Sequence, residues 1–336
     1  MRPLSYSIPK HLIPLSNKPL LQYNVEKVSQ AGMDEIGIVV SPETKHLYRS
    51  LLGDRRWGAD FTYIDQPDPK GLAHAVYCAR EFVGEEPFLV YLGDNLLEDS
   101  LRPMVEEFTE NRASASLLLA PVEDPERFGV ARIQEGRILE LVEKPDDPPS
   151  NLAIVGSYLF TPKIFDAINR IEPSDRGELE ITDAIQQLID DGEKVIPEQI
   201  TGWWQDVGRP SDAIEANRIL LEEVESRIEG NLESTQFKGR ERINVGSDVR
   251  ISDSTVRGPA IIGPGVTISD SVVGPYASIG EGCKLEDVKV SNSILVGDST
   301  LKGGQLKDSI LGRKVCLELP SGEYKVKVGN QASITR

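Results

Sequence analysis

The sequence predicts two domains: an α/β domain with a doubly wound, Rossmann-like sheet, followed by a parallel β-helix. In residues 1–229, short apolar runs alternate with amphipathic helical segments, a pattern typical of a sheet covered by helices. Past residue 230 the aliphatic residues instead recur every 17 positions, which is typical of a β-helix. A chain of 336 residues is long enough for two cores of this kind.

The apolar run 88–92 is followed directly by Gly93, Asp94 and Asn95. We expect the run to form a strand buried on both faces, as in a parallel sheet covered by helices. Ligands of open α/β sheets bind at the carboxyl ends of the strands, where Asp94 would lie. Two roles are open for this carboxylate. It either caps the next turn or binds Mg²⁺, which takes one or two carboxylates together with substrate phosphate oxygens.

The other elements of this domain follow from the same periodicities. Helices are predicted near 20–32, 45–52, 72–82, 101–111, 162–171, 177–189 and 212–228, and strands near 36–40, 61–64, 115–120, 128–133, 137–142 and 154–160. The strands on either side of Glu135-Gly136 are expected to form a hairpin. The turn-rich segment 202–208 carries Asp206, a second carboxylate at a strand end.

The 17-residue repeat contains three interleaved series of aliphatic residues. They are Val245, Ile262, Ile279 and Val296, each followed by Gly, then Ile251, Ile268 and Leu285, and then Val256, Val273 and Val290. A triangular coil has three short faces, with one aliphatic residue pointing inward from each. We therefore predict coils over about 244–312 and a last irregular coil or cap after Arg313. The predicted domains are 1–229, a linker at 230–243, and the β-helix with its cap at 244–336.

The composition narrows the function. A formal net charge of −17 argues against a nucleic-acid backbone or an anionic membrane as the main partner. Cys78, Cys283 and Cys316 are too far apart for a zinc motif and odd in number, which argues against a disulfide scaffold. The sequence has no apolar run of membrane length and no signal-peptide pattern. We expect a cytoplasmic protein.

Several motifs occur together in the order of one enzyme family. They are Arg2-Pro3-Leu4…Pro9-Lys10, Gln66…Gly71-Leu72-Ala73, Gly93-Asp94-Asn95, Phe128-Gly129-Val130, Glu143-Lys144-Pro145, Gly177-Glu178-Leu179-Glu180-Ile181-Thr182-Asp183 and Trp204-Gln205-Asp206-Val207-Gly208. In this combination the chain resembles the sugar-1-phosphate nucleotidylyltransferases. The resemblance is strongest to the long-form glucose-1-phosphate thymidylyltransferases, which add a C-terminal left-handed β-helix, and it covers nearly the whole chain.

The resemblance implies a reaction and its charged residues. A phosphate oxygen of glucose-1-phosphate attacks the α-phosphorus of dTTP, which gives dTDP-glucose and pyrophosphate. Such a transfer depends on alignment and on charge neutralisation. By resemblance, Asp94 and Asp206 bind Mg²⁺, Lys10 contacts the triphosphate and Lys144 contacts the sugar phosphate. Lys18, in the same proline-rich loop as Lys10, is expected to be structural.

The resemblance also implies how the substrates are recognised. Gln66 and the backbone at Gly71 would bind the thymine edge, because a Gln side chain both donates and accepts and Gly permits close approach. The residues expected to bind the sugar are Glu143, Gly129, the backbone near Ile154 and, beside the sugar, Asn95. Trp204 is expected to be a packing residue that positions Asp206. The expected partners are dTTP and a sugar-1-phosphate, with assembly as a homo-oligomer.

One departure from the family pattern affects this interpretation. Family members begin with a strand and a glycine-rich loop immediately ahead of the Arg-Pro pair matched by Arg2-Pro3, whereas Met1 stands at that point here. The loop normally surrounds the triphosphate with backbone N–H groups, and the strand would lie in the middle of the sheet, leaving unpaired edges. We expect either that the natural protein extends about a dozen residues upstream or that the chain is a degenerate paralogue. The intact downstream motifs favour the first.

The sequence leaves two alternatives to nucleotidyl transfer. Some β-helices are acyltransferases, which usually depend on a histidine base. His11, His46 and His74 all lie outside the coils, which argues against acyl transfer. His74 is expected to be a polar helix residue. The remaining alternative is a nucleotide-sugar-sensing or assembly subunit without catalysis. It would be supported by tight nucleotide binding without turnover.

Overall fold

The computed structural model describes residue 6 and residues 8–334, so the predicted Arg2-Pro3-Leu4 motif lies outside the described residues. The chain divides into two compact units. One unit is formed by residues 22–204, and the other by residues 1–21 together with 205–336. None of the described helices combines the length and the apolar composition that a membrane span requires.

The described helices and the strands that precede the coils have the following bounds. The helices are α1 (Leu20–Gln30), α2 (Lys45–Leu52), α3 (Leu72–Cys78), α4 (Arg80–Val83), α5 (Arg102–Asn111), α6 (Lys163–Ile168), α7 (Ile181–Asp190) and α8 (Pro210–Glu222). The strands are β1 (Pro14–Leu15), β2 (Lys18–Pro19), β3 (Glu35–Val40), β4 (Arg55–Arg56), β5 (Ala59–Asp65), β6 (Phe88–Tyr91), β7 (Asn95–Leu97), β8 (Ala115–Pro121), β9 (Gly129–Gln134), β10 (Arg137–Glu143), β11 (Leu152–Phe160), β12 (Val195–Gln199) and β13 (Trp204–Asp206).

The main sheet of the unit 22–204 is mixed rather than parallel. Its order is β10-β9-β11-β8-β12, and β6 pairs with β11 outside this path. Strand β11 runs antiparallel to β6, β8 and β9, while β12 is parallel to β8. The predicted hairpin is confirmed as β9 and β10, with Gly129 opposite Glu143.

Alternation along β8 gives this sheet two buried faces. Leu117 and Leu119 pack with residues of α3, α6 and α7, whereas Leu118 packs with residues of α5 such as Phe108. Successive side chains of a strand point to opposite faces, so a run that is apolar throughout fits a sheet between two helical layers. This arrangement confirms the Rossmann-like α/β class.

Strand β6 differs from the expectation of burial on both faces. All four of its residues, Phe88–Tyr91, are half-exposed, because among the described residues β6 pairs with β11 alone. The strands β3, β5 and β4 form a separate sheet in which β3 pairs only with β5 among the same residues. Among the described residues, β6 and β3 therefore each have one unpaired edge, as predicted.

Residues 227–334 form three parallel sheets, one for each face of a triangular coil. The first face contains β14 (Arg227–Ile228), β17 (Ile243–Val245), β20 (Ala260–Ile262), β23 (Ala277–Ile279), β26 (Ser293–Gly297), β29 (Ile310–Arg313) and β32 (Lys327–Val328). The second contains β15 (Asn231–Glu233), β18 (Arg250–Ser252), β21 (Thr267–Ser269), β24 (Lys284–Glu286), β27 (Thr300–Lys302), β30 (Cys316–Glu318) and β33 (Ser333–Ile334). The third contains β16 (Gln236–Lys238), β19 (Thr255–Arg257), β22 (Val272–Val273), β25 (Lys289–Ser291), β28 (Gln305–Lys307) and β31 (Glu323–Tyr324).

The predicted β-helix is confirmed, but its extent differs from the prediction. The stretch 230–243, expected as a linker, contains β15 and β16, which already pair with the next coil. Strands also continue past Arg313 as far as Ile334 instead of becoming irregular. Residues 227–243 lack the pair of an aliphatic residue followed by Gly that marks the later coils. In addition, α8 ends at Glu222 rather than at residue 228. The predicted start of the β-helix at residue 244 is therefore too late.

The register of the coils also departs from a strict 17-residue repeat. Val245, Ile262 and Ile279 are stacked as predicted. The next partner of Ile279 is Leu295, not Val296. Leu295 is fully buried and Val296 is half-exposed. The coil that follows Ile279 is therefore one residue shorter than the repeat predicts.

Asp residues recur at one corner of the coils, twice within the sequence Ser-Asp-Ser, at 252–254 and 269–271. Asp253, Asp270 and Asp287 have φ between +46° and +53°, a conformation that Asp adopts more readily than most residues. The buried serine hydroxyl of Ser254 accepts from the backbone N–H of Ser271 in the next coil, at 3.0 Å. These side chains satisfy backbone groups that the tight corners leave outside the strand ladders.

In the unit that contains the coils, the β1–β2 hairpin is hydrogen-bonded to α8 and to the coils. The turn of the β1–β2 hairpin places Ser16 and Asn17 at positive φ. The N–H of Ser16 donates to Oδ1 of Asn217 at 2.7 Å, and Nδ2 of Asn17 donates to the carbonyl of Ile279 at 2.8 Å. Asn217 also accepts from the hydroxyl of Ser278 at 2.7 Å. Residues distant in sequence thus form one polar network inside the unit.

Candidate functional site

Asp94 lies in the turn that follows β6, at the carboxyl end of the strand as predicted. The N–H of Asn95 donates to the carbonyl of Leu92 at 3.1 Å, which closes the turn. Nδ2 of Asn95 donates to Oδ1 of Asp94 at 2.9 Å, so the amide orients the carboxylate. Burial raises the pKa of Tyr91, and the charge of Asp94 adds to this effect, which places the carboxylate near that phenol.

Asn95, predicted to lie beside the sugar, is almost fully buried at 3% exposure. Its Oδ1 accepts from Nε1 of Trp204 at 2.6 Å and from the N–H of Gly156 at 3.4 Å. A Cβ at Gly156 would lie 2.8 Å from Nδ2 of Asn95, so only Gly fits there. These contacts make Asn95 a support of the Asp94 turn, and its contact with the sugar stays a prediction.

Trp204 differs in part from its expected role. Its ring packs edge-on against Phe128, with centroids 5.2 Å apart, as expected of a packing residue. Its indole N–H also holds Asn95, the neighbour of Asp94. Within the unit 22–204, Trp204 therefore supports the Asp94 turn.

Three predicted sugar-binding residues, Gly129, Glu143 and Ile154, lie together. Gly129 is paired with Glu143 across the β9–β10 hairpin. A Cβ at Gly129 would lie 2.9 Å from Cγ2 of Thr182, 3.0 Å from Oε2 of Glu143 and 3.2 Å from Cδ1 of Ile154. Only Gly therefore fits between these three side chains. We call the four residues Gly129, Glu143, Ile154 and Thr182 the Gly129 cluster.

Two cations bind the Glu143 carboxylate. Nζ of Lys144 lies 3.0 Å from Oε1 of Glu143, and Nη1 of Arg176 lies 3.2 Å from the same oxygen. Lys144 has a φ of +41°, and its N–H donates to the carbonyl of Phe128 at 2.9 Å. Arg176 also binds Oε2 of Glu178 at 3.0 Å. Both cations lie at Oε1, while Oε2 is the oxygen beside Gly129.

Other carboxylates near the Gly129 cluster are buried or partly buried, and their pKa values are raised. Burial raises the pKa of Glu180 above its ordinary value, the Ser174 hydroxyl offsets this in part, and Glu143 raises it further. Burial raises the pKa of Asp183, and the charge of Glu143 raises it further. Burial likewise raises the pKa of Tyr158, to which the charges of both Glu143 and Asp94 contribute. Tyr158 is thus close enough to both Glu143, of the predicted sugar site, and Asp94, of the predicted metal site, for their charges to raise its pKa.

The loop that contains Gln66 and Gly71 is fixed to the segment before α7. Gly71 has φ +105° and precedes α3. The N–H of Leu179 donates to the carbonyl of Lys70 at 2.7 Å, and the carbonyl of Leu179 accepts from the N–H of Ala73 at 3.0 Å. A Cβ at Gly71 would lie 2.5 Å from the Leu179 carbonyl oxygen. The close approach that requires Gly is therefore to Leu179.

Lys10 and Asp206 belong to the other unit. Lys10 begins a short 3₁₀ helix, Lys10–Leu12, and is half-buried. Asp206 ends β13, and a Cβ at Gly208 would lie 2.9 Å from its Oδ2. The glycine of the Asp-Val-Gly motif is thus required because a side chain at Gly208 would collide with the Asp206 carboxylate.

The predicted magnesium ligands fit that ion by their chemistry. Asp94 lies in a turn, where the side-chain amide of Asn95 orients one of its carboxylate oxygens. Carboxylate oxygens are among the ligands that Mg²⁺ prefers. Among the described residues no group of three or more His, Cys, Asp or Glu side chains forms a metal cluster. Mg²⁺ does not need one where substrate phosphates complete its shell.

Sequence reasoning did not assign roles to Arg176 and Thr182. Both lie in or next to the quoted motif 177–183, but nothing local indicates that Arg176 reaches Glu143. Thr182 is 1% exposed, and its Oγ1 has no hydrogen-bond partner among the residues that the structure describes. A buried hydroxyl without a partner is costly, and the Thr182 side chain reaches Gly129 through its methyl group Cγ2.

An α/β fold with carboxylates at its strand ends is typical of enzymes that bind phosphorylated ligands, and comparison with known proteins makes the class specific. The sequence model of the family described as Nucleotidyl transferase matches residues 1–223. The low-salt glycan biosynthesis nucleotidyltransferase Agl11 of Haloferax volcanii is 43% identical over 317 residues, which cover 93% of this chain and 89% of the relative. A glucose-1-phosphate thymidylyltransferase of Streptomyces antibioticus is 42% identical over 319 residues, with 94% and 89% covered. The chain belongs to the nucleotidyl transferase family.

Two further similarities each cover about two thirds of the chain. The UTP–glucose-1-phosphate uridylyltransferase AglF of Haloferax volcanii is 36% identical over 232 residues, which cover 68% of this chain and 95% of the relative. The crystal structure of a proposed glucose-1-phosphate thymidylyltransferase from Bacillus anthracis in complex with a sucrose has a TM-score of 0.62 at 39% identity. It covers 65% of this chain and 89% of that one. Together these similarities define a sugar-1-phosphate nucleotidyltransferase.

Proposed function

We propose that the chain transfers the nucleotidyl group of dTTP to glucose-1-phosphate, giving dTDP-glucose and pyrophosphate for nucleotide-sugar and glycan synthesis. A phosphate oxygen of the sugar phosphate forms a bond to the α-phosphorus, and the bond between the α-phosphorus and the bridging oxygen of pyrophosphate breaks. The observation that carries the proposal is the Glu143 carboxylate, whose Oε1 is held by Lys144 and Arg176, and whose Oε2 lies beside Gly129, where a Cβ would come within 3.0 Å of it.

The carboxylate of the Gly129 cluster suits a sugar ring. Oε2 of Glu143 accepts hydrogen bonds from sugar hydroxyls. Arg176 holds Oε1 of Glu143 and so fixes the carboxylate plane. The charge of Lys144, next to Glu143, suits the sugar phosphate. A carboxylate held by charged partners is a rigid acceptor, which favours specificity for hydroxyl positions.

At the phosphates, the proposal assigns Asp94 and Asp206 as the Mg²⁺ ligands and Lys10 as the triphosphate contact. When bound, Mg²⁺ would offset the negative charge that develops on the phosphate oxygens. Asn95 keeps the Asp94 carboxylate oriented through its bond to Oδ1. In a chain of net charge −17, such local cations are needed before a triphosphate can bind.

Uridylyl transfer is the second candidate. The relative AglF is named for UTP, and thymine differs from uracil by one methyl group, which is worth about 1–3 kcal/mol of discrimination in an apolar pocket. The ratio of kcat/KM for dTTP to that for UTP decides between the two. Homo-oligomeric assembly and a cytoplasmic location stay predictions.

The experiment is steady-state pyrophosphate release with the full chain and two matched variants on β10. Glu143→Gln removes the charge that binds Lys144 and Arg176, whereas Glu140→Gln removes an exposed charge paired with Arg132. We expect Glu143→Gln to raise KM for glucose-1-phosphate by about tenfold, the equivalent of one charged hydrogen bond, with little change in KM for dTTP. Glu140→Gln should match the unmodified chain. Equal kinetics for both variants would reject the assigned sugar site, and nucleotide binding without turnover would favour the sensing subunit.

A further inference from the structure

His74, on the first turn of α3, contacts the side chain of Gln66. Nε2 of Gln66 lies 3.2 Å from Nδ1 of His74 and donates to the carbonyl of Gly71 at 3.4 Å. On its other side, Nε2 of His74 lies 3.9 Å from Sγ of Cys78, one helical turn further along. All four residues belong to the unit 22–204, and the side chains of Gln66, His74 and Cys78 are half-buried.

The chemistry of these partners fixes the orientation of the Gln66 amide. The Gly71 carbonyl only accepts, so the amide nitrogen must face it. The same NH₂ group faces Nδ1 of His74, which must then be the unprotonated, accepting nitrogen of the ring. The ring proton is therefore on Nε2 and points toward the sulfur of Cys78, a weak acceptor. Both amide hydrogens of Gln66 are used inside the protein.

We propose that His74 is a positioning residue that locks the Gln66 amide so that its Oε1 alone faces the nucleobase. This inference rests on the proposed function, in which Gln66 reads the base. Oε1 of Gln66 has no hydrogen-bond partner within residue 6 and residues 8–334. The bond to Gly71 is long at 3.4 Å, so His74 supplies the shorter contact that resists rotation of the amide.

The fixed orientation of the Gln66 amide discriminates among nucleobases by the group at their N3 position. A lone acceptor pairs with the N3–H of thymine or uracil, whereas N3 of cytosine is itself an acceptor and opposes Oε1. A site built around one hydrogen-bonding group rejects a ligand that cannot pair with it, because both groups then stay unsatisfied. A freely rotating Gln66 would present its NH₂ to cytosine equally well. His74 therefore disfavours cytidine nucleotides and leaves thymidine and uridine nucleotides equivalent at this contact.

The test is a comparison of equilibrium binding of dTTP, UTP and dCTP, with Mg²⁺, to the full chain and three variants. His74→Leu removes the acceptor, and His74→Asn keeps an acceptor at the position of Nδ1. His46→Leu is the matched control, because His46 is an exposed histidine on α2 of the same unit. Calorimetry or competition with a fluorescent nucleotide gives the dissociation constants without turnover.

We expect the unmodified chain to bind dTTP and UTP about tenfold more tightly than dCTP, which corresponds to one hydrogen bond. The ratio should fall toward one in His74→Leu, recover in His74→Asn and stay unchanged in His46→Leu. A loss of affinity for all three nucleotides in equal proportion would show a merely structural role and overturn the inference. An unchanged ratio in His74→Leu would overturn it while leaving the proposed function intact. Failure of the unmodified chain to bind any of the nucleotides would overturn both.

Discussion

The indole Nε1 of Trp204 donates a 2.6 Å hydrogen bond to Oδ1 of Asn95, across 109 residues of sequence. Asn95 in turn donates to Asp94 at 2.9 Å. The orientation of the Asp94 carboxylate therefore depends on a residue that touches neither substrate in the proposed mechanism.

Replacement of Trp204 by Phe tests this relationship. The variant keeps an aromatic ring beside Phe128 but leaves Oδ1 of Asn95 with only the 3.4 Å bond from Gly156. An under-satisfied buried acceptor costs about 1–3 kcal/mol, so we expect the free energy of unfolding to fall by that amount in urea denaturation. Trp203→Phe is the control, because Trp203 bonds Glu98 through its backbone: its N–H donates to Oε2 of Glu98 at 3.0 Å and its carbonyl accepts from the N–H of Glu98 at 3.0 Å. Equal losses in both variants would contradict the role of the Trp204 indole.

Asn95 shows where the sequence is informative and where it is not. The apolar run 88–92 and the carboxylate after it were sufficient to predict a strand with Asp94 at its carboxyl end. The role of the next residue depends on partners 61 and 109 positions away, and no local pattern reveals such pairs. The same limit applies to Arg176, which reaches Glu143 from 33 positions away.

The register of the coils gives a second prediction. Leu295 points inward and is fully buried, whereas Val296 is half-exposed. Leu295→Ala should lower the free energy of unfolding by about 3–5 kcal/mol, because it leaves a cavity in a closed core. Val296→Ala should cost less than about 1 kcal/mol, and chemical denaturation measures both. The opposite order would restore the strict 17-residue register.

The sequence could not settle this register, for a physical reason. Ile294, Leu295 and Val296 are consecutive aliphatic residues, so an inward position one residue earlier is as apolar as the one that the repeat predicts. In a strand a shift of one residue moves every side chain to the opposite face. Which face is buried is decided by the length of the corner before the strand, and corner length is poorly encoded in a hydrophobic pattern.

Thr182→Val is expected to separate stability from activity. The substitution keeps the shape and removes a buried hydroxyl that has no partner among the described residues. The free energy of unfolding should therefore rise by about 1 kcal/mol, while KM for glucose-1-phosphate stays close to that of the unmodified chain, because Thr182 is 1% exposed. Thr201→Val serves as the control, because the hydroxyl of Thr201 donates to Asp99 at 3.2 Å, and its loss should not stabilise the fold. Destabilisation by Thr182→Val would mean that its hydroxyl already has a partner.

The two proposed metal ligands are tested by Asp94→Asn and Asp206→Asn. Each variant keeps the shape of the side chain but loses the charge that a hard divalent cation requires. We expect each to abolish Mg²⁺-dependent pyrophosphate release while the thermal melting temperature stays close to that of the unmodified chain. Asp190→Asn, an exposed position at the end of α7, should retain full activity. Retained activity in either of the first two variants would refute that assignment.

The central claim is that this chain joins a nucleotide to a sugar phosphate, and pyrophosphate release from dTTP in the presence and absence of glucose-1-phosphate tests it most directly. With Mg²⁺ and a cooperatively folded chain, we predict release only when the sugar phosphate is present, with one dTDP-glucose formed for each pyrophosphate. No release from a chain that melts cooperatively, or release that does not depend on the sugar phosphate, would contradict the claim.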